Sequence, residues 1–217
     1  MKLCIFDLDG TLLDTLSVIA DNSNYVIEKY NYKPIDKELF TSFIGNGAGE
    51  LMKSIARYRN IDSSLFDDMY SEFLKRYDEN PIGDTVVFDG ITDLVRKLKA
   101  SGKQLAVLTN KPHNAAVSSV AEFFGDSIFD AIIGQKESMM RKPHPESVET
   151  LLNDFAVTKE DAIMIGDSDV DIATGKNAGI STCAVSWGFK SREELLALEP
   201  DYLVDNTDEL LRILLED

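Results

Sequence analysis

The chain has 217 residues, which at roughly 100 to 200 residues per domain allows one large domain or one domain with a modest insertion, and excludes a multidomain array. Hydrophobic residues make up 44% and charged residues 28%, enough apolar material for a real core, so disorder and collagen-like structure are excluded too. Lys and Arg total 22 against 38 Asp and Glu, and the formal charge of −16 repels a phosphate backbone and removes nucleic acid from the expected partners.

In chain order, Lys2 to Phe6 is a short apolar strand that stops at Asp7, with a turn at Gly10 and Thr11. Leu16, Ile19, Ala20, Ile27 and Tyr30 fall at helical spacing, and further helices are expected over about 49–58 and 63–77. No strand pattern occurs between residues 15 and 83. After Pro81 strands and helices alternate. Ile91, Leu94, Val95 and Leu98 mark a helix that ends at Gly102, and strands are expected at 104–108, 128–133 and 162–165. Gly166 then leads into a helix to about Asn177, followed by strands near 182–186 and 202–204. Short apolar strands between helices predict an α/β fold, a doubly wound, Rossmann-like parallel sheet covered on both faces. Residues 1–14 and 84–217 then form the core, and residues 15–83 an α-helical insertion after the first strand. Cys4 and Cys183 each sit in an apolar run, too few for a disulfide framework and suited to a reducing cytoplasm. No apolar stretch approaches the roughly 18 residues of a membrane span, and the first residues lack a signal-peptide pattern, so a soluble cytoplasmic protein is expected.

The polar clusters share one location. Asp7 and Asp9 follow the first strand, Thr109 to Lys111 the second, and Asp167 to Asp171 the strand at 162–165, all at carboxyl ends, where such sheets bind ligands. Residues two apart in an extended segment face the same side, so Asp7 and Asp9 can share one small volume, where two carboxylates repel unless a proton or a cation lies between them. Mg2+ suits such a place, taking oxygen ligands from carboxylates, water and a substrate phosphate. Ordinary turn chemistry is the competing account of an Asp-x-Asp-Gly segment.

The wider pattern decides between them. Phe6 to Thr15 reads FDLDGTLLDT, and the segment resembles the first motif of the haloacid dehalogenase-like phosphohydrolases. TNK at Thr109–Lys111, KPHP at Lys142–Pro145 and GDSDVD at Gly166–Asp171 resemble the other three, in order. The resemblance implies that Asp7 is the nucleophile that forms an aspartyl-phosphate, and that Asp9 protonates the leaving alcohol and later activates water. It implies Mg2+ held by Asp7, Asp167 and the backbone carbonyl of Asp9, with Asp171 and Ser168 supporting from behind. Thr109 and Asn110 are expected to hydrogen-bond the phosphoryl oxygens, and Lys142 to spread the transition-state charge. Lys111 and Arg141 stay open between raising the local potential and being plain exposed cations. Asp169 is expected as a solvated helix-start acid, His113 and His144 as loop or helix-start residues, and Trp187–Gly188–Phe189 as a closure at the end of the strand near 182–186.

Asp9 stands where dehalogenase-type members tend to carry Tyr, which argues for phosphate over carbon–halogen chemistry. The helical block resembles the cap of phosphoglycolate phosphatases in the string from Phe43 to Ala48, and Ala184 to Leu195 adds to the likeness. No Arg or Lys lies between Phe43 and Met52, unlike β-phosphoglucomutase-like caps. Two positions depart from the family pattern: Asp89-Gly90 stands where Pro-Gly is frequent, and Thr15 where Ser is. The expected activity is Mg2+-dependent hydrolysis of a small phosphorylated metabolite, phosphoglycolate first. A β-phosphoglucomutase-like mutase, a pyrophosphatase and a catalytically silent binding protein are the alternatives, and monomer and homodimer are both open. Gly45, Asn46 and Gly47 are expected to bring backbone N–H groups to the substrate beside a helix starting near Gly49; the competing account makes them a plain connection between helices.

Overall fold

In the computed structural model, which describes residues 1–216, the chain enters through β1 (Leu3–Phe6), every residue of which is buried. A two-residue strand β2 (Leu13–Asp14) leads into three helices: α1 (Leu16–Lys29), α2 (Gly47–Arg59) and α3 (Phe66–Glu79). The strand β3 (Val86–Val87) returns antiparallel to β2, with Leu13 opposite Val87. Alternation follows: α4 (Ile91–Ala100), β4 (Gln104–Pro112), α5 (His113–Phe124), β5 (Ala131–Gln135), α6 (Glu146–Asp154) and β6 (Ala162–Gly166). The remaining elements are α7 (Asp169–Ala178), β7 (Ser181–Val185), α8 (Arg192–Ala197), β8 (Tyr202–Val204) and α9 (Thr207–Leu215).

Six strands form one parallel sheet in the order β5-β4-β1-β6-β7-β8. β1 is central, with Phe6 opposite Val107 on one side and Ile165 on the other. This register brings Asp7, the Thr109 segment and Asp167 to the same edge, beside the switch point where the strand order reverses. The sheet is expected from its sequence because strands covered on both faces read as continuous apolar runs. One face packs Phe6, Val107, Ile165 and Val185 against α4, α5 and α9, and the other packs Ile5, Ala106 and Met164 against α6.

The helical block has its own apolar centre. Met69, Phe73 and Tyr77 recur every four residues along α3 and bury one stripe of it against Val18, Ile27, Met52 and Ile55. Each such side chain contributes about 1.5–3 kcal/mol by leaving water. The structure shifts several expected boundaries. β4 continues through Thr109–Lys111 to Pro112, β5 begins at Ala131 rather than 128, and α2 begins at Gly47 rather than 49. The expected helix over 63–77 is a 3-10 turn at Ser63–Leu65 and then α3, because Asp62 caps the turn through Ser64 N–H at 2.9 Å. The β2–β3 ribbon was not expected at all.

Candidate active site

Asp7 leaves β1 with its N–H donating to Ile165 O at 2.9 Å, so the strand ladder fixes its backbone. The chain then turns tightly: Gly10 N–H reaches Leu13 O at 2.8 Å, and Leu12 N–H reaches Leu8 O at 3.0 Å. Gly10 has φ +88°, and a Cβ there would stand 2.4 Å from Asp167 Oδ2, so only glycine lets the turn pass over that carboxylate. Asp167 is held from two sides, by the Thr11 hydroxyl at 2.9 Å and by Phe189 N–H at 2.8 Å. Trp187 Nε1 donates to Thr11 O at 3.0 Å and locks the 187–189 turn onto the first loop. That turn therefore supports Asp167 as well as closing the strand end.

The placement of Asp171 comes from a helix cap. α7 begins only at Asp169, so Asp167 lies outside the helix and Ser168 is its cap. Asp171 is the third helical residue and forms a capping box, accepting from Ser168 Oγ at 2.6 Å and Ser168 N–H at 3.1 Å on Oδ2. Its Oδ1 accepts from Lys142 Nζ at 2.6 Å. Both oxygens are thus occupied. Asp169 is exposed at the helix start.

Lys142 is buried, with Nζ 2.9 Å from Asp7 Oδ1. Burial opposes its charged form, yet the carboxylates of Asp171 and Asp7 outweigh that and its pKa is raised. The carboxylates of Asp7, Asp167 and Asp171 each offer an oxygen within 4.8 Å of the others. Burial, Asp171 and Asp9 push Asp7 up to about 7 against the pull of Lys142, and burial, Asp171 and Asp7 push Asp167 up to about 8. Asp7 Oδ1 is buried with Lys142 Nζ as its ion-pair partner. A crowd of buried carboxylates held by one ammonium is an arrangement that a divalent cation relieves.

Asp7 and Asp9 close one end of a cavity of about 50 Å3. Thr109, Asn110 and Lys111 form a second wall, and Ile19, Ile44, Leu51, Phe73 and Tyr77 of the helical block form the rest together with Gly45 and Gly47. Thr109 Oγ1 accepts from Lys111 N–H at 3.2 Å, which leaves its own O–H for a ligand. Asn110 lines the cavity and is tied to its surroundings: its amide donates to Gly45 O at 3.0 Å and Lys142 O at 3.1 Å and accepts from Lys142 N–H at 2.9 Å, so the side chain also braces Lys142 and the helical block. Lys111 is no plain exposed cation. It is buried, with Nζ 2.8 Å from both Asp9 Oδ1 and the Tyr77 hydroxyl.

Arg141 lies on the outside, its guanidinium 3.3 Å from Asn46 O and 3.6 Å from Glu50 Oε1. Asn46 is exposed and is not among the residues lining the cavity, unlike its two glycine neighbours. Gly47 has φ +82° and begins α2 against the core: a Cβ there would lie 3.1 Å from Asn110 O. Sequence reasoning missed Tyr77, Thr11 and the Phe189 N–H. Tyr77 carried a weak signal, a hydroxyl within an otherwise apolar helical stripe.

Residues 4–185 match the sequence model of the haloacid dehalogenase-like hydrolases. The chain is similar to the phosphoglycolate phosphatase of Rhodospirillum rubrum, at 33% identity over 205 residues covering 91% of this chain and 84% of that one. It is also similar to the pyrophosphatase PpaX of Bacillus cereus, at 30% identity over 213 residues covering 97% and 94%. Among solved structures, a predicted phosphoglycolate phosphatase from Haemophilus somnus superposes with a TM-score of 0.92 at 27% identity, covering 98% of this chain and 97% of that one.

Proposed function

The chain belongs to the haloacid dehalogenase-like hydrolase family, and on that premise we propose that it is a Mg2+-dependent phosphatase of small phosphomonoesters, with phosphoglycolate as its first substrate. The observation that carries the reading is Asp7, buried, its Oδ1 2.9 Å from Lys142 Nζ, lining one cavity together with Asp9. An oxygen with a lone pair to give and a fixed cation beside it is a nucleophile for phosphorus.

In the first displacement an Asp7 oxygen bonds to phosphorus as the bond to the leaving oxygen breaks, and Asp9 gives its proton to that oxygen. In the second, Asp9 takes a proton from water, whose oxygen attacks phosphorus and releases Asp7 and inorganic phosphate. Thr109 donates to a phosphoryl oxygen, and Lys142 offsets negative charge on the transferring group. Asp7 and Asp167, with the Asp9 carbonyl, would hold Mg2+, and Asp171 keeps Lys142 and Ser168 in place behind them. When bound, such an ion would offset negative charge on the phosphoryl oxygens.

Residues 15–83 act as a cap over a core of 1–14 and 84–217, an assignment supported by the separate apolar centre and the β2–β3 ribbon. Gly45, Gly47 and the start of α2 bring backbone N–H groups and a positive helix end to the cavity, which suits a small anion. The lack of an Arg or Lys between Phe43 and Met52 disfavours the mutase reading. Pyrophosphate is the second reading, favoured by the similarity to PpaX. No helix among the described residues is long and apolar enough to cross a membrane, and the two buried free cysteines suit a reducing cytoplasm.

The experiment is a kcat/KM comparison of phosphoglycolate, pyrophosphate and β-glucose 1-phosphate with purified protein and Mg2+. Phosphoglycolate is expected to lead. A leading hexose phosphate overturns the substrate assignment, and absence of turnover on all three together with p-nitrophenyl phosphate overturns the phosphatase.

A further inference from the structure

Beyond the phosphate end, the cavity walls contributed by the helical block are apolar, and Lys111 is the only basic side chain lining it among the described residues. Its side chain is 1% exposed, so water does not solvate the ammonium. An ammonium has three N–H donors. Asp9 Oδ1 and the Tyr77 hydroxyl take two of them at 2.8 Å, and among the described residues no hydrogen bond takes up the third. A hydroxyl carries no charge to offset Lys111, and Asp9 is shared with the leaving oxygen. Lys111 also stands two residues beyond Thr109 on β4, so the group that meets the phosphoryl oxygens and this cation are set one short step apart.

Resting on the phosphatase reading, we propose that Lys111, held in place by Tyr77, is a specificity-determining residue that selects phosphoesters and anhydrides whose leaving group itself carries an anion. A buried cation in an apolar wall favours an anionic partner over a neutral one, because the neutral leaving group leaves the third donor unpaired. Lys111 lines the same cavity as Asp7 and Thr109, so the group it meets belongs to the same small substrate. A carboxylate two bonds from the ester oxygen and the second phosphoryl group of pyrophosphate both meet this description. Ethyl phosphate has the size without the charge.

The test measures kcat/KM for phosphoglycolate, pyrophosphate and ethyl phosphate with Mg2+, in the wild type, Lys111→Met, Lys111→Arg and Tyr77→Phe. In Lys111→Met the phosphoglycolate-to-ethyl phosphate ratio is expected to fall by at least about thirtyfold, the value of a hydrogen bond to a charged group. Lys111→Arg restores part of the ratio, and Tyr77→Phe lowers it several-fold while keeping the ring. Comparison of the two anionic substrates shows whether carboxylate or phosphoryl is the better partner. The inference is overturned if all three substrates fall equally in Lys111→Met, which would confine Lys111 to holding Asp9. Equal use of ethyl phosphate and phosphoglycolate by the wild type also overturns it, with the phosphatase reading intact. Should Lys111→Met fail to fold, the ratios in Lys111→Arg and Tyr77→Phe decide, and an unchanged ratio in both counts against it. A wild type inactive on every ester removes both readings together.

Discussion

In the proposed mechanism Asp7 is both a nucleophile and a ligand, and its surroundings suit one carboxylate to both roles. Lys142 Nζ faces Oδ1 at 2.9 Å, and the carboxylates of Asp167 and Asp171 crowd the same place and invite a cation. Asp7→Asn keeps the shape and removes the attack, so turnover is expected to fall by at least about a thousandfold with the fold retained; near-normal rates would assign the nucleophile elsewhere. The same carboxylates set a pH dependence of stability. With an ordinary carboxyl pKa of about 3.9, the metal-free fold holds more protons than the unfolded chain, because Asp7 is raised to about 7 and Asp167 to about 8. Stability is therefore lost as pH rises from about 4 to about 8. In EDTA the Tm is expected to be lower at pH 8 than at pH 6, and Mg2+ is expected to restore more at pH 8. A Tm that rises between those pH values without metal would contradict the raised carboxylates. Single residues were legible unevenly. Asp7 and Asp167 stood out as acids directly after apolar strands and Lys142 through its motif, whereas the partners of the Asn110 side chain, Gly45 and Lys142, are remote in sequence.

Helix α2 shows what an element adds to that chemistry. It starts against the cavity, and Gly47 permits this at φ +82° with the Asn110 carbonyl close behind. Gly47→Val brings a β-branched side chain to a conformation that L residues rarely adopt and pushes it toward Asn110, moving the helix end away. Its kcat/KM is expected to drop by about tenfold or more on phosphoglycolate and less on p-nitrophenyl phosphate, which depends less on the far wall; equal losses would make the glycine a plain connector. For α3 the expectation is structural. Phe73 is 1% exposed and stacks on Tyr77 with centroids 5.3 Å apart, so Phe73→Ala should cost about 3–5 kcal/mol in urea unfolding. A cost below about 1 kcal/mol would mean that the block collapses around the void. Strands and helices were legible where apolar runs or four-residue repeats are long. β2 and β3 were not, because two residues each carry no period.

At the scale of the whole molecule, the sheet order follows from its connections, and the clustering of function at one edge follows from the sheet. Parallel strands all end on the same side, so residues from four distant segments meet without any of them being near in sequence. Contacts between the helical block and the sheet were the least legible part, because Lys111 and Tyr77 are 34 residues apart and only folding pairs them. The β2–β3 ribbon has one further consequence. Leu13 faces Val87 across a ladder, so the chain departs for its helical excursion and returns from it at adjacent points. To the sheet, everything between is a detour that leaves and rejoins the chain path at one place. A change in its length or sequence is therefore expected to leave the pairing of the six strands intact. One hydrolytic edge can in this way be refitted for new esters by transplanting the detour, much as a tool keeps its handle while the head is changed.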